Sequence, residues 1–373
     1  MEYALYVHIP FCIKKCHYCD FVSFPGMEDM QEDYVAALLA EMALYRGRDL
    51  RTVYLGGGTP TCMDPVFISR ILEGIGRYFG TSRCVEVSIE ANPGTLSDEM
   101  LDCLKKTGIN RLSIGLQSWN PDELKVLGRV HNRADFIESY RRARKKGFDN
   151  INIDLIFGIP GQTMESWAKT LESIAGLRPE HISCYSLKIE EGTAFHRMLS
   201  EGVIQKPDPD LDRDMYHFAV DYLCHRGYER YEISNFAKKG RECVHNLAYW
   251  DNRPYTGIGV AAHSYGNGVR RWNTADIHRY CSMLKKGLPP VEGTETLSAS
   301  EEMFETIFLK LRTRWGIDFK EFEERFGKDL RTLYGGQLEG LEKDGFVETD
   351  GRGFWLTPRG IDLSNRVFVQ FLI

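Results

Sequence analysis

The sequence contains no apolar run long enough to cross a membrane. A bilayer-spanning helix needs about 18–20 consecutive apolar residues, and every hydrophobic segment of the 373-residue chain is shorter than that. The first residues carry no basic n-region and no long apolar stretch, so we expect no secretory signal. Low-complexity tracts and internal repeats beyond a strand–helix period are also missing. These absences argue against membrane-spanning, secreted, fibrous and collagen-like proteins.

The sequence also has no excess of positive charge. Lysine and arginine number 47 against 53 aspartates and glutamates, which gives a net charge of −6 and argues against nucleic acid as a partner. The ten cysteines are scattered along the chain. Without an export signal we expect no disulfide framework and a cytoplasmic protein in a reducing environment. The 43% of hydrophobic residues is enough for a substantial core.

Short segments rich in β-branched or aromatic residues alternate with helical patterns in the first half of the chain. Each segment is short and nearly continuously apolar, which is typical of a buried strand. Strands and helices that alternate over short connections favour βαβ units and a parallel sheet. The sequence therefore predicts an α/β fold, either a partial barrel or a doubly wound sheet. The predicted strands are residues 3–8, 52–55, 85–91, 111–116, 151–157 and 181–187.

The pattern changes after residue 190, and two further regions are expected. Residues 191–290 form an extension with one predicted helix and short strands, and it ends in a Gly- and Pro-rich linker. Residues 291–373 show helices followed by a hairpin, an order typical of a winged-helix-like α+β unit. From residue 298 onward there are 11 Lys and Arg against 14 Asp and Glu. This unit therefore suits a structural or lid role better than DNA binding.

Three cysteines stand close together directly after the first predicted strand, at Cys12, Cys16 and Cys19. Thiolates are preferred ligands of iron and zinc. Three thiolates suit a 4Fe-4S cluster in which one iron stays open for a substrate. A zinc site is the alternative, and it would need a fourth ligand such as His17. Three unligated thiols in one surface loop would be prone to oxidation.

The C-x3-C-x2-C spacing and its place after the first strand resemble the radical S-adenosylmethionine (SAM) superfamily. The resemblance implies that the open iron binds the amino and carboxylate groups of SAM, and that an electron from the cluster breaks a sulfur–carbon bond. In such proteins the cofactors carry the chemistry, while the protein positions them and excludes water. The resemblance also implies a partial (β/α)6 barrel over residues 1–190, followed by the extension and the winged-helix-like unit.

Two further features fit that resemblance. The segment Gly56-Gly-Gly-Thr-Pro60 follows the second strand, and its glycines let backbone amides or carbonyls approach a ligand closely. A tight turn is the alternative interpretation. Glu90 ends the third strand, where an acid is costly unless it is paired or bound to a ligand. Because parallel sheets place ligands at the carboxyl ends of their strands, we expect the SAM site there.

Several motifs narrow the resemblance to the coproporphyrinogen dehydrogenase-like group, whose members can bind two SAM molecules. The motifs are Tyr6-Val-His-Ile-Pro-Phe-Cys12, Cys19-Asp-Phe21, Gly115-Leu-Gln-Ser118 and Asp154-Leu-Ile-Phe-Gly158, together with the glycine segment. The resemblance assigns the first SAM to Tyr6, Tyr18, Gly57 and Glu90. It assigns a second SAM to Gly58, Thr59, Gln117, Arg129 and Asp154. For Asp154, a buried carboxylate bonded within the protein is the alternative.

Two departures separate the chain from the coproporphyrinogen III oxidase of this group. Phe21 stands where the oxidase has a fourth cysteine, and only eleven residues precede Cys12. The segment His245-Asn-Leu-Ala-Tyr-Trp250 instead matches the H-N-x-x-Y-W motif of the haem chaperones in the group. This similarity implies a protein that delivers haem to apo-cytochromes or other respiratory haem proteins. A radical enzyme that decarboxylates a porphyrin, opens the haem ring or transfers a methyl group is the alternative.

The motif residues give a specific expectation for haem. A neutral imidazole is a good axial ligand for haem iron, so His245 is the expected ligand, and Tyr249 and Trp250 offer flat faces to the macrocycle. Because delivery requires release, we expect this site to be exposed. Cys243 is a second candidate ligand, and a histidine satisfied inside the core is the structural alternative.

A basic run is expected near the end of a helix. A solvated face favoured by the helix dipole explains it, and a peripheral contact with acidic lipid headgroups or a partner is the alternative. The sequence also leaves open whether the chain forms a homodimer. The basic run comprises Arg141, Arg142, Arg144, Lys145 and Lys146.

Overall fold

The computed structural model describes residues 2–372 of the chain. Its first part alternates strands and helices, as the sequence pattern predicts. The elements of this part are β1 (Glu2–Ile9), β2 (Phe11–Cys12), β3 (Phe24–Pro25), α1 (Gln31–Leu44), β4 (Asp49–Gly57), α2 (Pro65–Tyr78), β5 (Glu86–Ala91), α3 (Asp98–Lys106), β6 (Arg111–Gln117), α4 (Pro121–Val126), α5 (Arg133–Lys145), β7 (Ile151–Phe157), α6 (Met164–Gly176), β8 (His181–Ser186) and α7 (Ala194–Ser200).

Six of these strands pair in parallel, in the order in which they occur in the chain: β1, β4, β5, β6, β7 and β8. They coincide with the predicted strands, so the α/β fold with a parallel sheet is confirmed. Helices cover one face of the sheet, where α1 buries Tyr34, Leu38 and Met42. The opposite face, here called the barrel interior, carries buried polar side chains at alternate strand positions. They include Thr52, Glu86, Arg111, Asn152 and His181.

The following part of the chain extends the same sheet at both edges. β10 pairs antiparallel with β8, and β11 pairs in parallel with β1. The result is a 12-stranded sheet that continues to Thr296, beyond the boundary predicted at residue 290. The elements here are α8 (Pro209–His225), β9 (Glu229–Arg230), β10 (Asn235–Ala237), α9 (Val244–Trp250), β11 (Tyr255–Ile258), β12 (His263–Gly266), β13 (Val269–Asn273), α10 (Ile277–Lys285) and β14 (Val291–Thr296).

α9 lies where the chain crosses from one edge of the six parallel strands to the other. It follows β10 at one edge and precedes β11 at the other. Its first residues contact the barrel interior, because Val244 N and His245 N donate to the Glu86 carboxylate at 2.9 and 3.2 Å. Glu86 is the first residue of β5. α9 therefore covers the barrel interior at the amino ends of the strands, opposite the end from which the cysteine loop leaves.

The last part forms a small α+β unit with its own core. Phe322, Leu338 and Phe354 are among the side chains buried there, and three strands pair in the order β15, β17, β16. No helix within residues 2–372 has both the length and the apolar character to span a bilayer. The elements are α11 (Ala299–Lys310), β15 (Ile317–Asp318), α12 (Phe319–Phe326), α13 (Leu330–Lys343), β16 (Val347–Thr349), β17 (Gly353–Leu356), α14 (Pro358–Asp362) and α15 (Ser364–Phe368).

Candidate functional site

The cysteine loop leaves the carboxyl end of β1 and is tied back to it. Cys12 ends β2, which pairs in parallel with β3 at the far end of the loop. The His8 ring in β1 donates from Nε2 to the Val22 carbonyl at 2.8 Å, and its Nδ1 bonds to the Tyr6 hydroxyl at 3.0 Å. These contacts fix both ends of the loop above the first strand.

The three cysteines of this loop are half-buried. Burial raises the pKa of Cys12 and of Cys19, so these thiols hold protons that a metal would have to displace. Arg129 lies beside the remaining cysteine, with Nη1 3.4 Å from Cys16 Sγ.

The donor set fits a 4Fe-4S cluster better than a zinc ion. Within the described residues, no three His, Cys, Asp or Glu side chains surround one point as the ligands of a single metal ion do. In a cluster each thiolate binds a different iron, so Cys12, Cys16 and Cys19 need not meet at one point. The His17 ring donates from Nδ1 to the Val126 carbonyl at 2.9 Å.

The glycine segment after β4 lies directly against the cysteine loop. Gly58 N and Thr59 N each donate to a backbone carbonyl at the start of that loop, both at 2.8 Å. Gly57 N donates to Glu90 Oε2 at 3.0 Å. All three amides are therefore engaged within the protein. Of the two expected uses of this segment, offering amides to a ligand carboxylate has no support here.

Gly57 and Gly58 are required for different reasons. Gly57 has a φ of +115°, and a Cβ there would lie 2.5 Å from the His8 ring. A Cβ at Gly58 would lie 2.6 Å from the Phe11 carbonyl oxygen and 3.0 Å from Cys12 Sγ. The backbone thus approaches the cysteine loop more closely than a side chain would permit.

Glu90 is the last residue but one of β5 and lies beside the glycine segment, and both of its oxygens accept hydrogen bonds. The Tyr54 hydroxyl donates to Oε1 at 2.9 Å, and Gly57 N donates to Oε2. Burial, and then the nearby Asp154 carboxylate, raise the pKa of Glu90 to about 7. These bonds explain how the acid is tolerated, and a cationic ligand placed beside it would favour its charged form.

Arg129 joins the cysteine loop to the carboxyl ends of the strands. Its Nη2 donates to the Gly115 carbonyl at 2.7 Å and to the Asn92 side chain, and its Nη1 lies 3.4 Å from the Tyr18 hydroxyl. Asn92 in turn donates to Thr59 Oγ1 at 2.7 Å. The structure therefore brings three predicted SAM residues, Arg129, Tyr18 and Thr59, into one hydrogen-bonded network.

Gln117 lies beside that network, because its Nε2 approaches the same point above Gly115 as Asn92 Oδ1 and Arg129 Nη2, whereas Asp154 bonds to other residues. Gln117 ends β6 with a φ of +74°, and its side chain folds over Gly115, where a Cβ would lie 2.8 Å from Gln117 Nε2. Asp154 accepts from Ser113 Oγ at 2.9 Å and from Asn152 Nδ2 at 2.8 Å, and burial raises its pKa. This is the geometry of a carboxylate bonded within the protein. Its role toward a second SAM stays a prediction.

The haem-motif histidine is buried. His245 is 1% exposed, its Nδ1 bonds to Thr52 Oγ1 at 2.9 Å, and its Nε2 bonds to the Tyr249 hydroxyl at 3.0 Å. Its ring stacks on Tyr54 with centroids 5.1 Å apart, and burial lowers the pKa of His245 to about 3. The expectation of an exposed imidazole is therefore wrong for this structure, because α9 inserts its first turn into the barrel interior.

The other haem-motif candidates lie on different sides of α9. Cys243 is fully buried, its Sγ lies 3.4 Å from Glu86 Oε1, and burial raises its pKa to about 12. A neutral buried thiol is a poor metal ligand. Tyr249 bonds inward to His245, whereas Trp250 is half-buried beneath the Arg312 guanidinium, 5.8 Å from its ring centroid. Tyr249 and Trp250 thus have different neighbours and share no single flat face.

Sequence reasoning missed the residues that organise the barrel interior. Tyr54 contacts both Glu90 and His245, and Glu86 accepts the first amides of α9. Arg111 is 2% exposed, and its Nε has no hydrogen-bond partner among residues 2–372. Two of the three carried a signal, since Glu86 and Arg111 are charged residues at the start of otherwise apolar predicted strands. Charged side chains are rarely buried without a specific role.

The similarity of this chain to known proteins extends beyond these motifs to its whole length. Residues 6–174 match the family model of the radical SAM superfamily, and residues 297–363 match that of the HemN C-terminal domain. The structure of coproporphyrinogen III oxidase (HemN) from Escherichia coli superposes with a TM-score of 0.87, at 26% identity over 100% of this chain and 90% of that chain. Heme chaperone HemW of Bacillus subtilis is 37% identical over 99% of both chains, and that of Lactococcus lactis is 37% identical over 99% of this chain and 97% of its own.

The parallel sheet and the cysteine loop at its first strand thus define a radical SAM protein. The superposition on HemN over the whole chain agrees with that class. Within it, the full-length relatives show that the chain belongs to the HemW family of heme chaperones.

Proposed function

We propose that this protein is a haem chaperone that binds haem and passes it to apo-cytochromes or other haem proteins of the respiratory chain, in the cytoplasm. The full-length likeness to proteins named heme chaperone HemW carries this proposal. The H-N-x-x-Y-W segment at residues 245–250 supports it.

The proposal includes a 4Fe-4S cluster on Cys12, Cys16 and Cys19, with SAM bound beside it. When bound, the cluster supplies one open iron and an electron to SAM. The chain contributes a close backbone approach at Gly57 and a paired carboxylate at Glu90. The remaining residues proposed for the first SAM are Tyr6 and Tyr18, and those for a second SAM are Gly58, Thr59, Gln117, Arg129 and Asp154.

Haem binding through His245 requires α9 to move. Nε2 must leave the Tyr249 hydroxyl, and the ring must leave Tyr54, before either nitrogen can reach an iron. The imidazole is already neutral, which is the form that ligates haem. We therefore propose that haem loading and release correspond to two positions of α9. His245 is the first candidate ligand and Cys243 the second, with Tyr249 and Trp250 against the macrocycle.

Acidic headgroups are a second proposed partner, at the basic run that ends α5. Of the basic run at the end of α5, Arg142, Arg144 and Lys146 form ion pairs within the protein. In the part of the chain that the structure describes, Arg141 and Lys145 are the members of that run without an ion pair. We therefore propose that Arg141 and Lys145 make a weak peripheral contact with acidic headgroups. The three-part division of the chain at residues 190 and 290 stays a prediction from the sequence.

A radical enzyme acting on a porphyrin is the second candidate, because the chain resembles HemN along its whole length. Against it, the position of the fourth cysteine is Phe21, which is 63% exposed in the cysteine loop. Mixing the reduced, reconstituted protein with SAM and coproporphyrinogen separates the two candidates. Release of deoxyadenosine and protoporphyrinogen would favour the enzyme.

The haem proposal is tested by titrating haem into the anaerobically reconstituted protein. His245→Ala should shift or abolish the Soret band and stop transfer to an apo-cytochrome. Its cluster iron, measured before haem is added, should stay unchanged. His225→Ala, at an exposed histidine at the end of α8, is the matched control and should behave as the wild type.

An unaltered haem spectrum in His245→Ala would transfer the ligand role to Cys243. If the Cys243→Ala/His245→Ala double variant still loads and delivers haem, the segment is ordinary core and haem binds elsewhere.

A further inference from the structure

Tyr54 lies between the two sites that the proposed function requires. Its hydroxyl donates to Oε1 of Glu90, the acid of the SAM site, at 2.9 Å. Its ring stacks on His245 of the haem motif, with centroids 5.1 Å apart and planes at 28°. One side chain of β4 therefore contacts both sites.

Neighbouring residues of β4 strengthen this connection. Thr52, two positions before Tyr54, bonds to His245 Nδ1 at 2.9 Å. Gly57, at the end of the strand, donates to Glu90 Oε2 at 3.0 Å. The same strand therefore holds both the acid and the imidazole.

A ligand that binds at Glu90 would disturb both the hydrogen bond of Tyr54 to Glu90 and its stacking on His245. A ligand ammonium or hydroxyl group that arrives at Glu90 competes with the Tyr54 hydroxyl for Oε1. A buried hydroxyl that loses its acceptor is costly, so the Tyr54 ring must shift to recover a partner. That shift weakens the stacking that holds His245, and aromatic stacking of this kind is worth a measurable free energy.

We propose that Tyr54 couples SAM binding to the release of His245. SAM at Glu90 displaces the Tyr54 hydroxyl, and the loosened ring frees the imidazole for haem. The inference rests on the proposed function, in which SAM binds at Glu90 and haem at His245. Tyr54 is a positioning residue, because it acts through these two side chains. Linkage requires the effect to be mutual, so haem raises the affinity for SAM by the same factor.

The first test needs no haem. The ring nitrogens of His245 are followed by NMR in reconstituted protein labelled with 15N-histidine, and His245→Gln identifies their signals. Saturating SAM should shift these signals in the wild type. In Tyr54→Phe, which keeps the ring but lacks the hydroxyl, SAM should leave them in place.

The second test measures haem affinity with and without SAM. SAM should lower the haem dissociation constant of the wild type about two- to tenfold, the range that one hydrogen bond supports. Tyr54→Phe has no hydroxyl for SAM to displace, so SAM should leave its haem affinity unchanged. Tyr228→Phe is the matched control, because the buried Tyr228 hydroxyl donates to the Pro179 carbonyl at 2.7 Å, away from both sites. It should respond to SAM as the wild type does.

Three results would overturn the coupling: equal responses to SAM in the wild type and Tyr54→Phe, unchanged His245 signals at saturating SAM, or a haem affinity that SAM lowers or leaves unchanged. A wild type that binds SAM but never binds haem would sink the haem proposal, and the NMR test would still decide the coupling. A wild type that does not bind SAM would overturn both the coupling and the SAM site.

Discussion

Gly58 sets how closely the glycine segment packs on the cysteine loop. A Cβ at this position would meet a backbone oxygen at 2.6 Å and Cys12 Sγ at 3.0 Å, so the loop itself would have to move. We expect Gly58→Ala to lower the iron content after reconstitution. Overpacking of this kind should also reduce the free energy of unfolding by about 1–3 kcal/mol. Iron analysis and chemical denaturation measure the two effects.

Gly76 in α2 offers a matched control for that substitution. A Cβ there has nothing within 4 Å, so Gly76→Ala should keep full iron and gain about 0.5–1 kcal/mol from helix propensity. If Gly58→Ala behaves like Gly76→Ala, the close approach of the glycine segment is not what holds the cysteine loop.

The cysteine loop makes a second prediction at the scale of single residues. Replacing any one of its three cysteines by alanine should abolish the brown absorption and the roughly four irons per chain of a 4Fe-4S cluster. Cys62→Ala, Cys84→Ala and Cys103→Ala should retain both, since these thiols lie outside the loop. Absorption spectra and iron analysis of anaerobically purified protein provide the measurement. Stoichiometric zinc without iron would contradict the cluster.

Among the elements, α1 is joined to the strands of the extension by one buried acid. Glu41 is 0% exposed. It accepts from Gly259 N at 2.9 Å, from the Tyr280 hydroxyl at 2.5 Å and from Asn273 Nδ2 at 2.7 Å. Burial raises the pKa of Glu41 to about 7. Three parts of the extension thus depend on one carboxyl group.

The raised pKa of Glu41 predicts a pH dependence of stability. Between its ordinary pKa of 4.5 and about 7, the folded protein keeps a proton that the unfolded chain has lost. The contribution of Glu41 to the free energy of unfolding therefore falls as pH rises through this window. Unfolding measured at several pH values should show the wild type losing stability relative to Glu41→Gln. Parallel curves for the two proteins would refute the assignment.

α9 has only seven residues, too few to be stable alone, and Glu86 holds its first turn. Val244 N and His245 N bond to different oxygens of Glu86. Glu86→Gln therefore leaves one of the two amides without its acceptor. We expect it to lower the free energy of unfolding by about 1–3 kcal/mol and to speed amide hydrogen exchange at these two residues. Hydrogen exchange followed by mass spectrometry measures the opening of α9.

The exposed capping box of α11 provides the control for α9. Glu301 accepts from the Ser298 amide there, and Glu301→Gln, which keeps a side-chain oxygen for that bond, should leave exchange in α9 unchanged. Unchanged exchange in Glu86→Gln would mean that the contacts of His245 inside the barrel hold α9 by themselves.

At the scale of the whole molecule, local patterns predict the parallel strands and the helices that cover them. Each strand is a short apolar segment between helical periods, and this signal does not depend on distant parts of the chain. The pairing of β10 with β8 and of β11 with β1 could not be predicted in this way. It brings together residues far apart in sequence, such as Ala4 and Tyr255, and no local period records it.

The same limit separates the two parts of the candidate site. The cysteine loop could be predicted, because its three ligands lie within eight consecutive residues. The surroundings of His245 could not, because its partners Thr52 and Tyr54 lie about 190 residues earlier in the chain. A histidine in a short apolar segment has the same local pattern whether its helix lies on the surface or inside the barrel.

The pairing of β1 has a consequence for the synthesis of the chain. β1 is made before both strands that it pairs with: one of its edges pairs with β4, but the other waits for β11. At a translation rate of about 5–20 residues per second, that edge stays open for roughly 10–50 seconds. An unpaired strand edge is a template for association with other chains. The cysteine loop follows β1 directly, so any early delivery of iron to the nascent chain takes place beside an edge that is still open to aggregation.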